Sequence, residues 1–133
     1  MSAAARPIVI VDDDDDYVMV ARLLLARLAP EAAVTAYGSR AEFLADMQGV
    51  ARGALVLLDR CLGGSESFDL LPELVRRRPD LDTVMLSARL APADRARALH
   101  AGAIDGAEKP DSVKGWRRFL DRVLSDEGAV RAA

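Results

Sequence analysis

The stretch Ile8-Val9-Ile10-Val11-Asp12-Asp13-Asp14-Asp15-Asp16 decides the fold class of this chain. Four consecutive β-branched residues that stop abruptly at acids predict a strand buried on both faces, as in parallel sheets. A second apolar run, Ala54–Leu58, ends at Asp59, and a third, Thr83–Leu86, ends at Ser87. Together these runs predict an α/β protein built on a parallel sheet.

Segments with helical spacing of apolar residues lie between the strands. The first predicted elements are strand 8–11, a helix marked by Tyr17, Val20, Leu24 and Leu28, strand 33–37, and helix 39–49 with a Ser39–Glu42 capping box. Strand 54–58 follows, and then a helix opened by Ser67 with Phe68, Leu71 and Val75 on one face. The last elements are strand 83–86, helix 92–101, a weak strand at about 104–108, and a helix capped by Asp111 or Ser112 with Trp116, Leu120 and Val123 inward. Five strand-then-helix units require a doubly wound, five-stranded parallel sheet with helices on both faces.

The length of 133 residues suits one domain, which we place at 1–125 with its core at about 7–125, followed by a short polar tail at 126–133. A net charge of −3 gives no reason to expect binding to nucleic acid or to a membrane. The single Cys61 excludes an internal disulfide and leaves a zinc site built on cysteines unsupported, and the single His100 rules out a site that needs two imidazoles. No signal peptide or membrane-spanning run is present, so we expect a soluble, cytoplasmic protein.

Polar side chains follow the predicted strands at their carboxyl ends. Asp12 and Asp13 follow the first strand, Asp59 the third, Ser87 the fourth and Lys109 the fifth. Ligands of open parallel sheets bind at this edge. We therefore expect three carboxylates, a hydroxyl and an ammonium to converge there.

A cluster of this kind needs a cation. Two carboxylates ~4 Å apart repel by ~4 kcal/mol at an effective dielectric constant of 20. Mg²⁺ suits the site, because it prefers a few carboxylates with retained waters and a phosphate oxygen. An Asp carboxylate can attack a phosphoryl group to form an acyl phosphate, a transfer that depends on positioning and charge neutralisation. Mg²⁺ and Lys109 would neutralise charge, and the Ser87 hydroxyl could donate to a phosphoryl oxygen.

Each of these residues also has an ordinary structural interpretation. A run of five aspartates is commonly solvated, and the last three fit the cap and first turn of a helix. Taken alone, Asp59 could be a turn cap, Ser87 a turn residue and Lys109 a surface lysine. The functional interpretation is favoured by the combination, because every one of these groups directly follows a strand.

Four motifs carry a resemblance to a known family. They are Ile8-Val9-Ile10-Val11-Asp12-Asp13-Asp14, Leu55-Val56-Leu57-Leu58-Asp59, Val84-Met85-Leu86-Ser87-Ala88, and Ala101-Gly102-Ala103 through Lys109-Pro110. In this order and spacing they resemble the receiver domain of two-component response regulators, of the stand-alone single-domain type, over about residues 7–125. The resemblance implies a flavodoxin-like, CheY-like fold with strand order 2-1-3-4-5.

The resemblance also implies a role for each site residue. Asp13, Asp59 and the backbone carbonyl of Cys61 would ligate Mg²⁺, or Mn²⁺ in its place, with Asp12 acting nearby through water. Asp59 would be the phosphoacceptor. In members of this family Ser87 and Lys109 would hold the phosphoryl group, and the peptide bond after Lys109 would be cis.

The partners implied are a sensor histidine kinase or a histidine phosphotransfer protein, together with an unknown downstream protein target. We expect a monomer or weak homodimer that binds neither nucleic acid nor membrane. We also expect a switch rather than an enzyme, since such a domain catalyses only its own phosphorylation and dephosphorylation. Its output would be partner binding or onward phosphotransfer in a relay.

The chain departs from the family pattern in two places. Gly106 stands where members usually carry a Tyr or Phe that changes rotamer on phosphorylation, so the fourth helix and the loop after Ser87 become candidate switch elements. The loop after Asp59 lacks the common Pro-Gly pair. We hypothesise that Cys61 and Arg89 set the lifetime of the phosphorylated state.

Three other functions compete with this one. Gly106 favours a protein-interaction module that has lost phosphorylation control. A phosphatase of the haloacid dehalogenase kind also uses an Asp nucleophile and Mg²⁺, but the chain is short and lacks room for a cap. A flavodoxin-like FMN carrier would need hydroxyls and amides, where five aspartates would repel the phosphate.

Overall fold

The computed structural model describes residues 5–125, and the predicted tail at 126–133 lies outside them. Seven strands and five α-helices follow one another along this part of the chain. They are β1 (Ile8–Val11), α1 (Asp15–Leu28), β2 (Val34–Tyr37), α2 (Arg40–Asp46) with a 3₁₀ turn (Met47–Gly49), β3 (Leu55–Asp59), β4 (Cys61–Leu62), β5 (Ser65–Glu66), α3 (Leu70–Arg77), β6 (Asp82–Ser87), α4 (Pro92–Ala101), β7 (Asp105–Glu108) and α5 (Val113–Ser125).

Five of these strands form one parallel sheet in the order β2-β1-β3-β6-β7. Since β6 and β7 are the fourth and fifth strands of this sheet along the chain, the predicted order 2-1-3-4-5 and the α/β class are confirmed. The register pairs Ile8 with both Val34 and Leu55, so β1 lies inside the sheet. The strand order reverses between β1 and β3, which is the position where ligands bind in open parallel sheets.

The core lies in two layers because neighbouring residues of a strand point to opposite faces of the sheet. One layer packs the sheet against α2, α3 and α4, and the other packs it against α1 and α5. The strand residues of the first layer include Val9, Val11, Val56, Leu58 and Met85, and those of the second include Ile8, Ile10, Leu55, Leu57, Val84 and Leu86. Burial on both faces explains why these strands are continuously apolar.

Helix ends follow the predicted capping residues. The Asp14 side chain accepts from the Tyr17 N–H at the start of α1, and the Ser39 hydroxyl accepts from the Glu42 N–H at the start of α2. The Ser112 hydroxyl accepts from the backbone of the first turn of α5, so Ser112 rather than its neighbour caps that helix. These bonds satisfy N–H groups that a helix leaves without partners.

One residue in each of two predicted apolar sets is exposed, while the other residues of those sets pack against the core. Val20 and Val75 are 48% and 51% exposed. The fully buried residues of α1 are Ala21 and Leu25, which lie one turn apart. Spacing alone gives the width of an apolar stripe, while packing against the sheet decides which edge of that stripe is covered.

The segment after β3 also differs from the prediction. It forms a small antiparallel hairpin of β4 and β5, whose turn places Gly63 and Gly64 at positive φ of 59° and 83°. Ser67 is fully buried, and its hydroxyl donates to the carbonyls of Asp59 and Arg60 instead of opening the helix. As a result, α3 starts three residues later, at Leu70.

Within residues 5–125, no helix is both long and apolar enough to cross a lipid bilayer.

Candidate functional site

Three aspartates meet at the carboxyl edge of the sheet. Carboxylate oxygens of Asp12, Asp13 and Asp59 all lie within 4.8 Å of one another. Asp12 is 2% exposed and Asp59 is 9% exposed, while Asp13 faces solvent. The convergence expected from the strand ends is therefore present.

Backbone N–H groups hold each carboxylate in place. Asp12 accepts from Asp14 at 2.9 Å and Asp59 accepts from Cys61 at 3.3 Å, both within turns that follow a strand. Asp13 accepts from the Gly63 N–H at 3.0 Å, a contact that spans fifty residues of sequence. The hairpin turn thus anchors the exposed edge of the acidic cluster.

Lys109 supplies the positive charge of the cluster. Its Nζ lies 2.8 Å from Asp12 Oδ2 and 3.4 Å from Asp59 Oδ2, and 4.7 Å from the centre of the Tyr17 ring. Burial lowers the pKa of this ammonium, but the hydrogen bonds and attraction of the two aspartates outweigh burial and raise it. Lys109 is consequently charged and directed at both buried carboxylates.

The charge balance of the cluster is nevertheless unfavourable for Asp59. Burial, followed by the nearby Asp12 carboxylate, raises the pKa of Asp59 from 3.8 to about 6, against the opposing pull of Lys109. One ammonium does not compensate three carboxylates. A second cation is required if all three are to be ionised.

A hard divalent cation fits this donor set. The three carboxylates supply oxygen ligands on one side and leave the solvent side open, as Mg²⁺ with retained waters requires. The side chain of Cys61 is exposed. The role of the Cys61 carbonyl as a ligand stays a prediction.

Ser87 reaches the same edge of the sheet but directs its hydroxyl elsewhere. Its Oγ donates to the Arg89 carbonyl at 2.8 Å and accepts from Arg60 Nε at 3.1 Å. Its carbonyl accepts from the Lys109 N–H at 2.8 Å, which ties β6 to β7 beside the site. The hydroxyl would have to rotate to donate toward Asp59.

The Lys109–Pro110 peptide bond is trans and not cis as expected, and residues 5–125 contain no cis peptide bond. The prediction was wrong for this structure, since trans is favoured for an X–Pro bond unless contacts impose the other isomer. In the trans arrangement the Pro110 carbonyl accepts from the Tyr17 hydroxyl at 3.0 Å. That bond ties the loop after β7 to α1.

Gly106 is buried, and its surroundings leave no room for an aromatic ring. A Cβ at this position would lie 3.2 Å from Leu90 Cδ2 and 3.4 Å from both Arg95 Cα and Arg95 Cγ. The space beside β7 is thus filled by the loop after Ser87 and by α4. The usual rotamer change of a ring on this strand has no counterpart here.

Sequence reasoning missed three contributors to the site. Arg60 had no assigned role, Tyr17 was treated as a core residue, and Gly63 as a loop residue. Their contacts all join segments distant in sequence. The one available signal was position, because Arg60 directly follows Asp59.

The fold and this edge of the sheet define a class of protein, a doubly wound α/β domain with an acidic centre and one lysine. A family model for the response regulator receiver domain matches residues 8–118. The chain therefore belongs to the response regulator receiver domain family.

Known proteins of similar sequence are longer. The chain is 31% identical over 102 residues to the DNA-binding transcriptional regulator NtrC of Azospirillum brasilense, a match covering 76% of this chain and 20% of that protein. It is 31% identical over 74 residues to NtrC of Rhizobium meliloti (strain 1021), covering 56% and 15%. The chain thus matches about a fifth or less of the length of these relatives.

Solved structures show the same fold. A CheY-like receiver domain protein from Methanospirillum hungatei JF-1 superposes with a TM-score of 0.77 at 22% identity, covering 93% of this chain and 97% of that one. A response regulator protein from Burkholderia pseudomallei, with a phosphorylated aspartic acid, a calcium ion and citrate, superposes with a TM-score of 0.72 at 22% identity, covering 96% and 71%.

Proposed function

We propose that this chain is a phosphoacceptor switch that takes a phosphoryl group on Asp59 in a reaction that depends on Mg²⁺. One observation carries the proposal: the buried Asp59 carboxylate lies within 4.8 Å of the Asp12 and Asp13 oxygens and 3.4 Å from Lys109 Nζ. Such a cluster is unfavourable without a ligand, and a receiver domain supplies a use for every member of it.

In the proposed reaction an Asp59 carboxylate oxygen attacks the phosphorus of a phosphohistidine or an acyl phosphate. A P–O bond to Asp59 forms as the donor P–N or P–O bond breaks, and the imidazole or carboxylate departs with the bonding electrons. Bound Mg²⁺, held by Asp13, Asp59 and the Cys61 carbonyl with Asp12 nearby, would neutralise charge on the transferring group. It would also lower the pKa of Asp59 and keep the nucleophile ionised.

Two side chains of the chain itself would complete the transfer. Lys109 is placed to pair with a phosphoryl oxygen as its attraction to Asp59 weakens, since its Nζ is shared between two carboxylates. Ser87 would exchange its bond to the Arg89 carbonyl for one to a phosphoryl oxygen. That exchange moves the loop that precedes α4, so phosphorylation would reach the outer surface.

The proposed donor is a sensor histidine kinase or a histidine phosphotransfer protein, and the output is binding of a partner protein or onward transfer. The chain would act as a switch and not as an enzyme with turnover on other substrates. We further propose residues 1–125 as the complete receiver unit and the cytoplasm as its location. The chain matches only 20% of the length of NtrC of Azospirillum brasilense, so the expectation that it works alone is part of the same proposal.

Incubation with Mg²⁺ and acetyl phosphate, followed by intact-mass measurement, tests the proposal. We expect one phosphoryl adduct that requires Mg²⁺ and is lost in Asp59→Asn. The matched control is Asp69→Asn, an exposed aspartate outside the cluster, which should retain the adduct.

A second candidate function is a docking module without phosphorylation, which the filled space at Gly106 favours. Folded protein that binds Mg²⁺ but forms no adduct with acetyl phosphate or with a panel of phosphorylated kinases would support that function. An adduct on Asp69→Asn and on Asp59→Asn alike would place the phosphoryl group elsewhere and contradict the main proposal.

A further inference from the structure

Arg60 is fixed beside the site by its backbone. Its N–H donates to the Leu86 carbonyl at 2.8 Å, which continues the pairing of β3 with β6 for one more residue. Its carbonyl accepts from the Ser67 N–H at 2.8 Å and from the buried Ser67 hydroxyl at 3.1 Å. The guanidinium therefore starts from a rigid point immediately after Asp59.

The Arg60 guanidinium lies at the Ser87 hydroxyl. Nε donates to Ser87 Oγ at 3.1 Å, and a terminal nitrogen lies 3.4 Å from Glu66 Oε2. A guanidinium has five N–H donors in a planar fork that suits phosphoryl oxygens. Any anion that the Ser87 hydroxyl contacts will thus be within reach of Arg60 as well.

The present partner of Arg60 is easily exchanged. Glu66 is half exposed, and it also lies 3.3 Å from a nitrogen of Arg97 in α4, which stacks over the Phe68 ring. Exposed ion pairs contribute about 0.2–1 kcal/mol. A phosphoryl group carries a charge of about −1.5 to −2 with several strong acceptor oxygens. Exchange of Glu66 for such a group is downhill.

We propose that Arg60 is a phosphoryl-binding residue: when Asp59 is phosphorylated, the Arg60 guanidinium leaves Glu66 and donates to a phosphoryl oxygen. The inference rests on the proposed function and deepens it, since it adds a second cationic side chain to the site. Glu66 would then keep only its ion pair with Arg97, so the charge contact between the β4–β5 hairpin and α4 would change with phosphorylation. This would be a route for the signal that needs no aromatic ring on β7.

Beryllofluoride, a phosphoryl analogue, tests the inference in titrations at saturating Mg²⁺ followed by ¹⁹F NMR. We expect Arg60→Ala to weaken beryllofluoride binding about tenfold, the size of one charge-assisted hydrogen bond at a partly exposed site. Arg97→Ala is the matched control, because it removes the same charge from the same carboxylate; it should stay within about twofold of the unaltered chain. Glu66→Gln should tighten binding about threefold by releasing Arg60.

Four outcomes would overturn the inference. Equal losses in Arg60→Ala and Arg97→Ala would reduce the effect to overall charge, and an unchanged Arg60→Ala would remove the contact. A parallel loss of Mg²⁺ affinity in Arg60→Ala, measured without beryllofluoride, would assign the effect to the metal. If the unaltered chain binds Mg²⁺ but no beryllofluoride, the proposed function fails together with the inference. The other three outcomes overturn the inference alone, because in each of them the unaltered chain still binds beryllofluoride.

Discussion

At the scale of single residues, the unfavourable burial of the ionised Asp59 carboxylate, next to a second carboxylate, is the property that function would exploit. The pKa of Asp59 is raised to about 6 mainly by burial and then by Asp12. A carboxyl whose folded pKa exceeds its unfolded value binds a proton more tightly in the folded state. Its stabilising contribution is complete below the unfolded value and is lost as the pH rises through about 6.

Asp59→Asn should therefore stabilise the metal-free protein at pH 7.5 by about 1–2 kcal/mol, and by much less at pH 5. Thermal unfolding in a chelator at the two pH values measures the difference. Asp69→Asn is the control, since its pKa is lowered by the hydrogen bond from Arg40 and its neutralisation brings no gain. A lower melting temperature for Asp59→Asn at pH 7.5 would show that the ionised Asp59 carboxylate does not destabilise the metal-free fold.

Cys61, at the start of β4, and Arg89, in the loop after β6, are exposed residues that border the site. We expect Cys61→Ala and Arg89→Ala each to change the half-life of the phosphorylated protein at least threefold, because both side chains would affect how water approaches an acyl phosphate on Asp59. The measurement is the loss of the phosphoryl adduct with time after acetyl phosphate is removed. His100→Ala, an exposed change on α4, serves as control, and half-lives equal to that control would reject the hypothesis.

At the scale of elements, the β4–β5 hairpin lies outside the main sheet and holds one carboxylate of the acidic cluster. Gly64→Ala should cost about 1 kcal/mol, since Gly64 sits at a φ of 83° that disfavours a side chain. The same change should weaken Mg²⁺ binding several-fold, because the turn carries the Gly63 N–H that holds Asp13.

Gly53→Ala is a matched control for that hairpin variant. Gly53 has a φ of 73°, open space at its Cβ and a position before β3, at the opposite edge of the sheet. Both variants should lose similar stability by chemical denaturation, and only Gly64→Ala should lose Mg²⁺ affinity by calorimetry. Equal Mg²⁺ affinities would show that the hairpin does not hold Asp13.

The contact of β7 with α4 is a second element-scale feature that can be tested. Gly106→Tyr should destabilise the fold by about 1–3 kcal/mol, because even a Cβ added at this position would press against Leu90 and Arg95. Adding Leu90→Ala should recover part of this loss. Denaturant unfolding of the single and double variants measures the coupling, and strictly additive losses would show that Leu90 does not fill the space.

At the scale of the whole molecule, the fold and the metal should be thermodynamically linked. A ligand that binds only the folded state stabilises it by about 2.7 kcal/mol at a hundred times its dissociation constant. Saturating Mg²⁺ should therefore raise the melting temperature of the unaltered chain. The gain should be mostly absent in Asp13→Asn and retained in Asp69→Asn, and a gain of equal size in all three would point to nonspecific binding.

Much of this architecture was predictable from local patterns. The β-branched run before Asp12 predicted a doubly buried strand, and Pro92 and Gly102 marked both ends of α4. Parallel strands place their carboxyl ends together, so the order of elements alone brought Asp12, Asp59 and Lys109 to one edge.

Other features depended on contacts that no local pattern encodes. The hairpin lay in a short segment where Ser67 resembled a helix cap, yet its hydroxyl is buried against the end of β3. The exposure of Val20 followed from which side of α1 packs on the sheet, where Ala21 and Leu25 are buried.

The sequence by itself determined the fold class and the set of acidic and basic groups that meet at the sheet edge. The reason is that the apolar pattern of each strand and the direction of the chain are local properties. Only the tertiary structure decided how those groups are paired: Lys109 with Asp12, Ser87 with Arg60 and Arg89, and Glu66 between two arginines. Pairing depends on distances of about 3 Å between segments far apart in the chain, and these are set by packing in three dimensions.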